Sequence, residues 1–295
     1  MALRQPPKPQ QAAAVGERSA TLWLLLAALS FSLMTVAVKQ LAGRIPLAEV
    51  VMARSLIGVA LTAWLLGRAG QAPWGQRRGL LVARGLIGSG ALLCVFGALA
   101  HLPLATATVL QYLYPSVTAL LAWPWLGERP GPRAIAGLGL GWLGVLMVCF
   151  PALPGGTSAP GLSALGVLLA IVGAVLTALA YVSVRELGRS EHPLVIVLYF
   201  PMVAVPLCLP LVLADPVLPT PEETLWLLAV GVFTQVGQLG ITRGLTGLPA
   251  ARATTISYVQ VLFAGLWGWW WFAEWPSGST VAGAILILVA TLICA

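Results

Sequence analysis

Charged residues are scarce in this sequence of 295 residues. Only 8% of the residues are charged and 59% are hydrophobic, whereas an ordinary soluble domain carries roughly 25% charged residues. The sequence also lacks asparagine, so it offers no acceptor for N-glycosylation. This composition excludes a soluble domain and predicts an all-α integral membrane protein, in which apolar runs of about 20 residues cross the bilayer.

Residues that bind metals or act as nucleophiles are equally sparse. The four cysteines lie within or at the ends of apolar runs, without a CxxC spacing, and both histidines fall in predicted loops. We interpret the cysteines as small packing residues. An intramembrane enzyme needs a nucleophile with a base, or a metal site, at membrane depth, and a channel needs a charged ring or a filter sequence. The sequence predicts neither class, and it predicts no cofactor and no metal.

Ten apolar spans follow a tail at residues 1–18, which is rich in proline and glutamine and is predicted to be disordered. Each span is close to the length that crosses the hydrocarbon core as a helix. The spans lie at about 20–41, 46–67, 78–100, 104–125, 132–150, 161–184, 193–213, 224–243, 251–272 and 277–295.

The basic residues are spread over the loops and are not gathered into a nucleic-acid patch, despite a net charge of +7. With the N-terminus inside, the outer loops hold only Lys39 and Arg44. The inner loops hold Arg4, Lys8, Arg18, Arg68, Arg77, Arg78, Arg129, Arg133, Arg185, Arg189, Arg243 and Arg252. The positive-inside rule therefore predicts that both termini are cytoplasmic. The many arginines and few lysines suggest a bacterial source, so we expect a multi-pass protein of the bacterial inner membrane, a monomer or weak homodimer.

The second half of the chain repeats the first at an offset of 146 residues. The offset pairs Leu102-Pro103 with Leu248-Pro249, Tyr112 with Tyr258, Glu128 with Glu274, Lys39 with Arg185, and Gly85 with Gly231. We divide the chain into a first repeat at 19–150, a linker at 151–161 and a second repeat at 162–295. Each repeat has five spans, an odd number, so the second must be inverted relative to the first. Inverted repeats are typical of secondary transporters.

The stretch from Ala98 to Val148 resembles the EamA module of the drug/metabolite transporter superfamily. The likeness rests on LPLATATVL before a span, Pro115 within it, then LGERP and the glycine-rich GLGLGWLGV; the second copy has FAEWP in place of LGERP. The resemblance implies a central cavity between helices 1–4 and 6–9 and alternating access by rocking. Within the family, the aromatic-rich and charge-poor spans are most similar to amino-acid exporters of the YddG type. Glu128 and Glu274, at helix ends, are interpreted as structural.

Polar side chains near the middle of spans are predicted to line the substrate path. In lipid such groups must bond each other, the backbone or a cavity ligand, so interhelical packing is the alternative interpretation. The predicted residues are Ser32, Met34, Thr35, Thr108, Gln111, Tyr112, Tyr181, Gln235, Gln238, Thr254, Ser257 and Tyr258. Met34 is the apolar member of this set.

Three ionisable residues fall inside spans, where each costs roughly 2.5–3.5 kcal/mol on insertion scales. Arg54 is placed at the substrate site as an attractor for a carboxylate; Arg84 is a second candidate for that role, and Glu49 is given none. Helix packing or snorkelling is the alternative for both arginines. Lys39 and Arg185 lie at the ends of helices 1 and 6, on opposite faces of the membrane. We predict that they act as gates at the two mouths of the transport path. Interfacial anchoring is the alternative for that pair.

These patterns favour a secondary exporter of small amphipathic metabolites, with aromatic or hydrophobic amino acids as the expected cargo. Other metabolites, drugs, or a sugar-phosphate or nucleotide exchanged by a related carrier are the alternatives. A sugar-phosphate carrier is expected to have several basic residues close together at mid-span, whereas this sequence offers at most two, Arg54 and Arg84. Spans 1 and 6 contain no carboxylate at mid-span, which argues against a simple proton relay.

Overall fold

A computed structural model describes residues 16–41, 43–101, 110–149, 163–272 and 278–294. These residues form helices with no strand among them. The helices are α1 (Glu17–Leu41), α2 (Leu47–Arg68), α3 (Arg78–His101), α4 (Tyr114–Leu126), α5 (Pro132–Cys149), α6 (Ala164–Leu187), α7 (Pro193–Ala214), α8 (Pro221–Gly247), α9 (Ala250–Ile256), α10 (Val259–Phe272) and α11 (Gly278–Cys294).

Six of these helices, α1 to α3 and α6 to α8, are long and apolar enough to cross a membrane, and α5 and α11 contain shorter apolar stretches. The chain is thus a multi-pass helical membrane protein, while the count of ten spans and the cytoplasmic termini stay predictions. Helix α1 begins at Glu17, within the last residues of the predicted tail. That carboxylate lies in the first turn, where it opposes the helix dipole, and it pairs with Arg252 of α9 at 3.5 Å.

The helices pack as the repeat predicts. An offset of 146 residues converts α1 into α6, α2 into α7, α3 into α8, and α5 into α11. Helix α1 packs on α8 and α6 packs on α3, which is the same contact with the repeats exchanged. The self-equivalent pairs, α2 with α7 and α5 with α11, also pack on each other. Such reciprocal packing is the mark of a pseudo-two-fold axis between the repeats.

Two glycines make this axis visible at atomic detail. A Cβ atom on Gly85 would lie 2.8 Å from Cγ2 of Val203, and one on Gly231 would lie 2.5 Å from Cδ1 of Ile57. The offset exchanges both members of these contacts, since it takes Gly85 to Gly231 and Ile57 to Val203. The absence of a side chain at both positions lets α3 approach α7, and α8 approach α2, closely.

The ion pairs show that the repeats run in opposite directions. At one end of the bundle, here called the Glu128 end, Glu17–Arg252 joins the start of α1 to α9, and Glu128–Arg185 joins the end of α4 to the end of α6. The Ala250 amide at the start of α9 donates to the same Glu128. The opposite end, here called the Glu223 end, joins the loop after α1 to the start of α8 through Arg44–Glu223 at 3.1 Å. Helix α1 therefore begins where its equivalent α6 ends. The predicted inner loops that carry Arg77, Arg185 and Arg252 meet at the Glu128 end.

Spans 4 and 9 are not the continuous helices that the hydropathy pattern predicted. Leu110 and Gln111 are helical, a turn follows at 112–113, and α4 starts at Tyr114 with Pro115 in its first turn. In span 9 a turn at Ser257–Tyr258 separates α9 from α10, held by the bond from the Gln260 amide to the Ser257 carbonyl at 3.1 Å. The interruption recurs at nearly equivalent positions although the second copy lacks the proline.

Apolar packing differs between the two ends. At the Glu128 end one continuous cluster of buried side chains joins α1, α2, α3, α6, α7, α8 and α9, with Leu24, Leu187 and Leu245 among its members. At the Glu223 end the described residues form separate clusters, one on α1, α2 and α8 and another on α3 and α6. Within the described part of the chain, apolar packing is therefore continuous across the Glu128 end, here called the closed end, and is split into separate clusters at the Glu223 end.

Candidate substrate-binding cavity

A cavity of about 190 Å³ lies in the middle of the bundle. Its walls come from α1, α2, α3, α6, α7, α8 and α10, together with Gln111 before α4. The lining residues are Phe31, Met34, Arg54, Arg84, Gly88, Ala91, Leu92, Val95, Gln111, Thr177, Ala180, Tyr181, Phe200, Gln238 and Gln260. None of these side chains is acidic. A larger cavity of about 480 Å³ lies at the Glu128 end around Arg129, Arg133 and Arg252, away from the helix interior.

The central cavity straddles the pseudo-two-fold axis. Several of its lining residues form pairs that the 146-residue offset exchanges, so that both members face the same space. These pairs are Phe31 with Thr177, Met34 with Ala180, Arg54 with Phe200, and Leu92 with Gln238. The backbone positions are thus equivalent, but every pair differs in chemistry. The backbone around the cavity is therefore symmetric, whereas the side chains that line it are not.

Arg54 and Arg84 are the dominant charges in this cavity. Both are buried, with 7% and 2% of their surface exposed. Their guanidinium carbons lie 5.5 Å and 4.8 Å from the centre of the same ring, that of Phe200. Gly88 makes room for this stack, because a Cβ atom there would lie 3.0 Å from the ring. Arg84 donates from Nη2 to Oε1 of Gln238 at 3.3 Å.

The two cations lack compensation within the described residues. The Nε and Nη1 groups of Arg84 are buried without an acceptor, and no carboxylate pairs with Arg54 or Arg84. Stacking on an aromatic ring stabilises a desolvated cation by about 2 kcal/mol, whereas burying an ion costs several kcal/mol. The cation–π contacts with Phe200 therefore offset only part of the cost. What remains is a positive potential directed into the cavity.

Five of the residues predicted for the substrate path line this cavity: Met34, Arg54, Gln111, Tyr181 and Gln238. Their contact with a substrate remains a prediction, but they do share one space. Arg84, held to be the weaker candidate, lies in the same cavity. The sequence interpretation overlooked Phe31 and Phe200, although the offset gave a signal for the second, since it places Phe200 opposite Arg54.

Other predicted residues bond to the protein instead of facing the cavity. Oγ of Ser32 accepts the indole N–H of Trp267 at 2.9 Å, and the hydroxyl of Thr35 donates to its own helix at the Phe31 carbonyl, at 3.0 Å. The amide of Gln235 donates to the hydroxyl of Thr62. These are the interhelical and backbone contacts that formed the alternative interpretation.

The residues around the turn in span 9 are buried in the same way. The hydroxyl of Thr254 donates to the Ala250 carbonyl at 2.9 Å, and that of Ser257 donates to the Ala253 carbonyl at 3.3 Å. Tyr258 is fully buried, and its ring centre lies 5.6 Å from that of Tyr112, its equivalent in the first repeat. These tyrosines meet across the pseudo-two-fold axis beside the two helix interruptions. Thr108 lies outside the described residues.

The two residues predicted to gate the mouths lie at opposite ends, as the inverted repeat requires. Lys39 is exposed at the end of α1, at the Glu223 end. Arg185 donates from Nε to Glu128 at 2.8 Å and from Nη1 to the Thr246 carbonyl at 2.8 Å. The other oxygen of Glu128 accepts the Ala250 amide at 2.9 Å. Arg185 and Glu128 thereby tie the ends of α4, α6 and α8 together at the closed end, and a gating role stays a prediction.

Comparison with known proteins gives matches over nearly the whole chain. A model of the EamA-like transporter family matches residues 18–150 and again residues 164–295. The chain is 37% identical over 277 residues to the pseudopaline exporter CntI of Pseudomonas aeruginosa (strain UCBPP-PA14), covering 93% of this chain and 95% of that protein. It is 27% identical over 229 residues to solute carrier family 35 member G1 of Homo sapiens, covering 75% of this chain and 62% of that protein. A crystal structure with 23% sequence identity superposes with a TM-score of 0.83 over 94% of this chain and 96% of its own, which shows a shared fold.

These matches confirm the resemblance to the EamA module. They do not support the expected nearness to amino-acid exporters of the YddG type, because the relative that covers almost the whole chain at 37% identity is a pseudopaline exporter. The family model covers both repeats and leaves out only the N-terminal tail and the linker between the repeats. The chain therefore belongs to the EamA-like transporter family and is a membrane transporter.

Proposed function

We propose that the chain exports a small amphipathic metabolite from the cytoplasm by alternating access between its two repeats. The observation that carries this proposal is the central cavity, whose walls come from equivalent positions of both repeats. A site on the pseudo-two-fold axis lies at the same depth from either face. Exchanging the conformations of the two repeats would therefore close one end and open the other around a fixed site.

The direction of transport and the class of cargo have separate support. The family, and a relative named as an exporter, support export of metabolites. They do not support amino acids as the specific cargo, so amino acids are one arm of the test. If the Glu128 end is cytoplasmic, as its basic loops predict, the conformation described here is closed to the cytoplasm.

The test is flux through purified protein in liposomes. The panel contains labelled phenylalanine, glutamate, pseudopaline, a sugar phosphate and a quaternary ammonium compound, each loaded inside and followed outward. We expect at least one metabolite to move faster than in empty liposomes. No flux of any panel member, from protein that retains its melting transition, would overturn the proposal.

A matched pair of variants assigns the flux to the central cavity. Ala180 lines the cavity, so Ala180→Phe should obstruct it and reduce flux at least tenfold. Val175 lies on the exposed side of the same helix, so Val175→Phe adds a ring toward lipid and should leave flux within about twofold. Equal flux through both variants would place the transport path elsewhere.

A further inference from the structure

We infer that the cavity selects substrates carrying two acidic groups, with Arg54 and Arg84 each holding one of them. This inference rests on the proposed transport function, because it assigns the cavity to the cargo. It replaces the zwitterionic amino acid expected from the sequence with a dianionic, dicarboxylate class of metabolite.

The charge of the lining supports two acids over one. Both arginines are nearly fully buried, and both lie within 5.5 Å of the centre of the Phe200 ring. The other lining side chains, Gln111, Tyr181 and Gln238 among them, are neutral. A zwitterion brings no net charge and adds an ammonium group to a cavity that already holds two cations. Two carboxylates match the cavity charge for charge and accept the paired N–H groups that guanidinium presents.

The unpartnered atoms point to the same ligand. Nε and Nη1 of Arg84 are buried without an acceptor in the described part of the chain. Buried donors are almost always hydrogen-bonded, so these two leave the charge of Arg84 uncompensated by the protein and strengthen its attraction for a carboxylate in the cavity.

Among the described residues, no carboxylate pairs with either arginine. Residues 102–109, which precede Gln111, contain neither Asp nor Glu. Glu49 is the acid on the same helix as Arg54, but a spacing of five residues does not put the two on one helix face. The charge that the cavity lacks is therefore expected from the cargo.

The experiment measures binding to purified protein in detergent, independent of transport. The probes are glutarate, its monoamide and its diamide, which share one carbon chain and carry two, one and no carboxylates. We expect isothermal titration calorimetry to give a higher affinity for glutarate than for the monoamide, and a higher affinity for the monoamide than for the diamide. Each carboxylate should raise the affinity at least roughly tenfold. A tighter dicarboxylate of different length would strengthen the inference.

Variants connect each carboxylate to its arginine. Arg84→Met should weaken glutarate at least roughly tenfold while leaving the monoamide nearly unchanged, so that the two probes bind alike. Arg54→Met should do the same from the other side. Arg84→Lys keeps the charge but loses the paired donors, and should fall between wild type and Arg84→Met. Glu49→Gln removes an acid from the helix of Arg54 and should leave the ranking unchanged.

Two results would overturn the inference: equal affinities for the three probes in the wild-type protein, or an unchanged ranking in both methionine variants that still melt cooperatively. The outcome is separable from that of the proposed function. If the ranking holds but no panel metabolite moves in liposomes, the proposed export fails and the site assignment stands. If neutral or zwitterionic metabolites are exported and the ranking is absent, export stands and the dianion inference fails.

Discussion

The two repeats use one backbone arrangement for different chemistry. Contacts that depend on shape are preserved under the offset, as with Gly85 against Val203 and Gly231 against Ile57. Residues that carry charge in the cavity are not preserved: the first repeat supplies both arginines, whereas their equivalents in the second repeat are Phe200 and Val230.

The same division appears at the two ends of the bundle. Arg77 and Glu223 stand 146 residues apart, and each pairs with the other repeat. Arg77 contacts Glu186 at 2.7 Å, and Glu223 contacts Arg44 at 3.1 Å, with the sign of the charge reversed. In the proposed transport cycle, the equivalent backbone positions would support the rocking motion, whereas the differing side chains would set selectivity and orientation in the membrane.

Exchanging the members of the Arg54–Phe200 pair tests this division with the largest expected effect. Phe200→Arg alone would add a third cation to the cavity, and an uncompensated buried charge costs about 3–5 kcal/mol, so we expect flux to fall by roughly a hundredfold or more. Arg54→Phe alone removes a charged anchor, worth about 2 kcal/mol or roughly thirtyfold. The double exchange restores one cation and one ring at equivalent positions, and most of the flux should return. Liposome flux at equal amounts of folded protein is the measurement.

The exchange has its own control and its own contradiction. Leu120→Phe changes an exposed lipid-facing residue of α4 and should leave flux unchanged. A double variant as inactive as either single variant would mean that Arg54 and Phe200 act at non-equivalent positions, and the comparison between the repeats would not extend to the cavity.

Alanine substitution at the two equivalent glycines tests the shared backbone. Gly85→Ala and Gly231→Ala each force a Cβ atom to within 2.8 Å of a side chain on the facing helix. We expect each to lower the free energy of unfolding by about 1–3 kcal/mol, because overpacking displaces the neighbouring helix. Melting of the detergent-solubilised protein reports the loss.

Gly79→Ala is the matched control, since no atom lies within 4 Å of the added Cβ on the same helix as Gly85. It should leave the melting temperature unchanged or raise it, because alanine favours helix. A loss at only one of the two equivalent glycines would show that the crossings of α3 on α7 and α8 on α2 differ in tolerance.

The sequence predicted the helices and the equivalence of the two repeats better than it predicted the site. Apolar length and the offset were enough for α1 to α3, α6 to α8 and the inverted arrangement. The turn at Ser257–Tyr258 was missed because no proline marks it; it depends on 3₁₀-type backbone bonds and on Tyr258 meeting Tyr112 across the axis. Such a contact joins residues 146 positions apart, which local patterns do not report.

The cavity was only half predicted, for a related reason. A hydroxyl in a helix can bond the carbonyl four residues earlier, as Thr254 does, so polarity at mid-span does not separate packing from substrate contact. Arg84 was ranked below Arg54 because it lies near the start of α3 in the sequence. It is buried because Gly85 and Gly88 let α3 lie against α7 and the Phe200 ring.

Neutralising Glu128 tests whether the closed end depends on its ion pair. Glu128→Gln keeps an acceptor for the Ala250 amide but loses the charge that binds Arg185. Since both side chains are partly exposed, we expect a loss of about 1 kcal/mol, or roughly fivefold in the ratio of closed to open states.

The rate of cysteine labelling measures this ratio. A cysteine introduced by Val182→Cys, at a position buried near this end, should react about fivefold faster with an impermeant maleimide when Glu128→Gln is present, in a background without native cysteines. Arg129→Gln removes the neighbouring exposed charge, which stacks on Trp123 of α4, and should not change that rate; equal acceleration in both variants would remove the special role of Glu128.

The smallest expected effect concerns stability at acidic pH at the Glu223 end. Glu223 is the equivalent of Arg77 in the second repeat and carries the opposite charge. The amide and hydroxyl of Thr220, with a further contribution from Arg44, hold the pKa of Glu223 below its usual value of about 4.5. Because the folded pKa is lowered, the stabilisation is fully present above pH 4.5 and is lost as the pH falls through the folded value. Glu223→Gln should therefore show a flatter decline of melting temperature below pH 4.5 than wild type, and Glu222→Gln, in the same helical turn, should follow wild type. If Glu223→Gln does not alter the dependence of melting temperature on pH, the Arg44–Glu223 pair contributes nothing measurable to stability. The electrostatic difference between the two repeats would then be confined to the cavity.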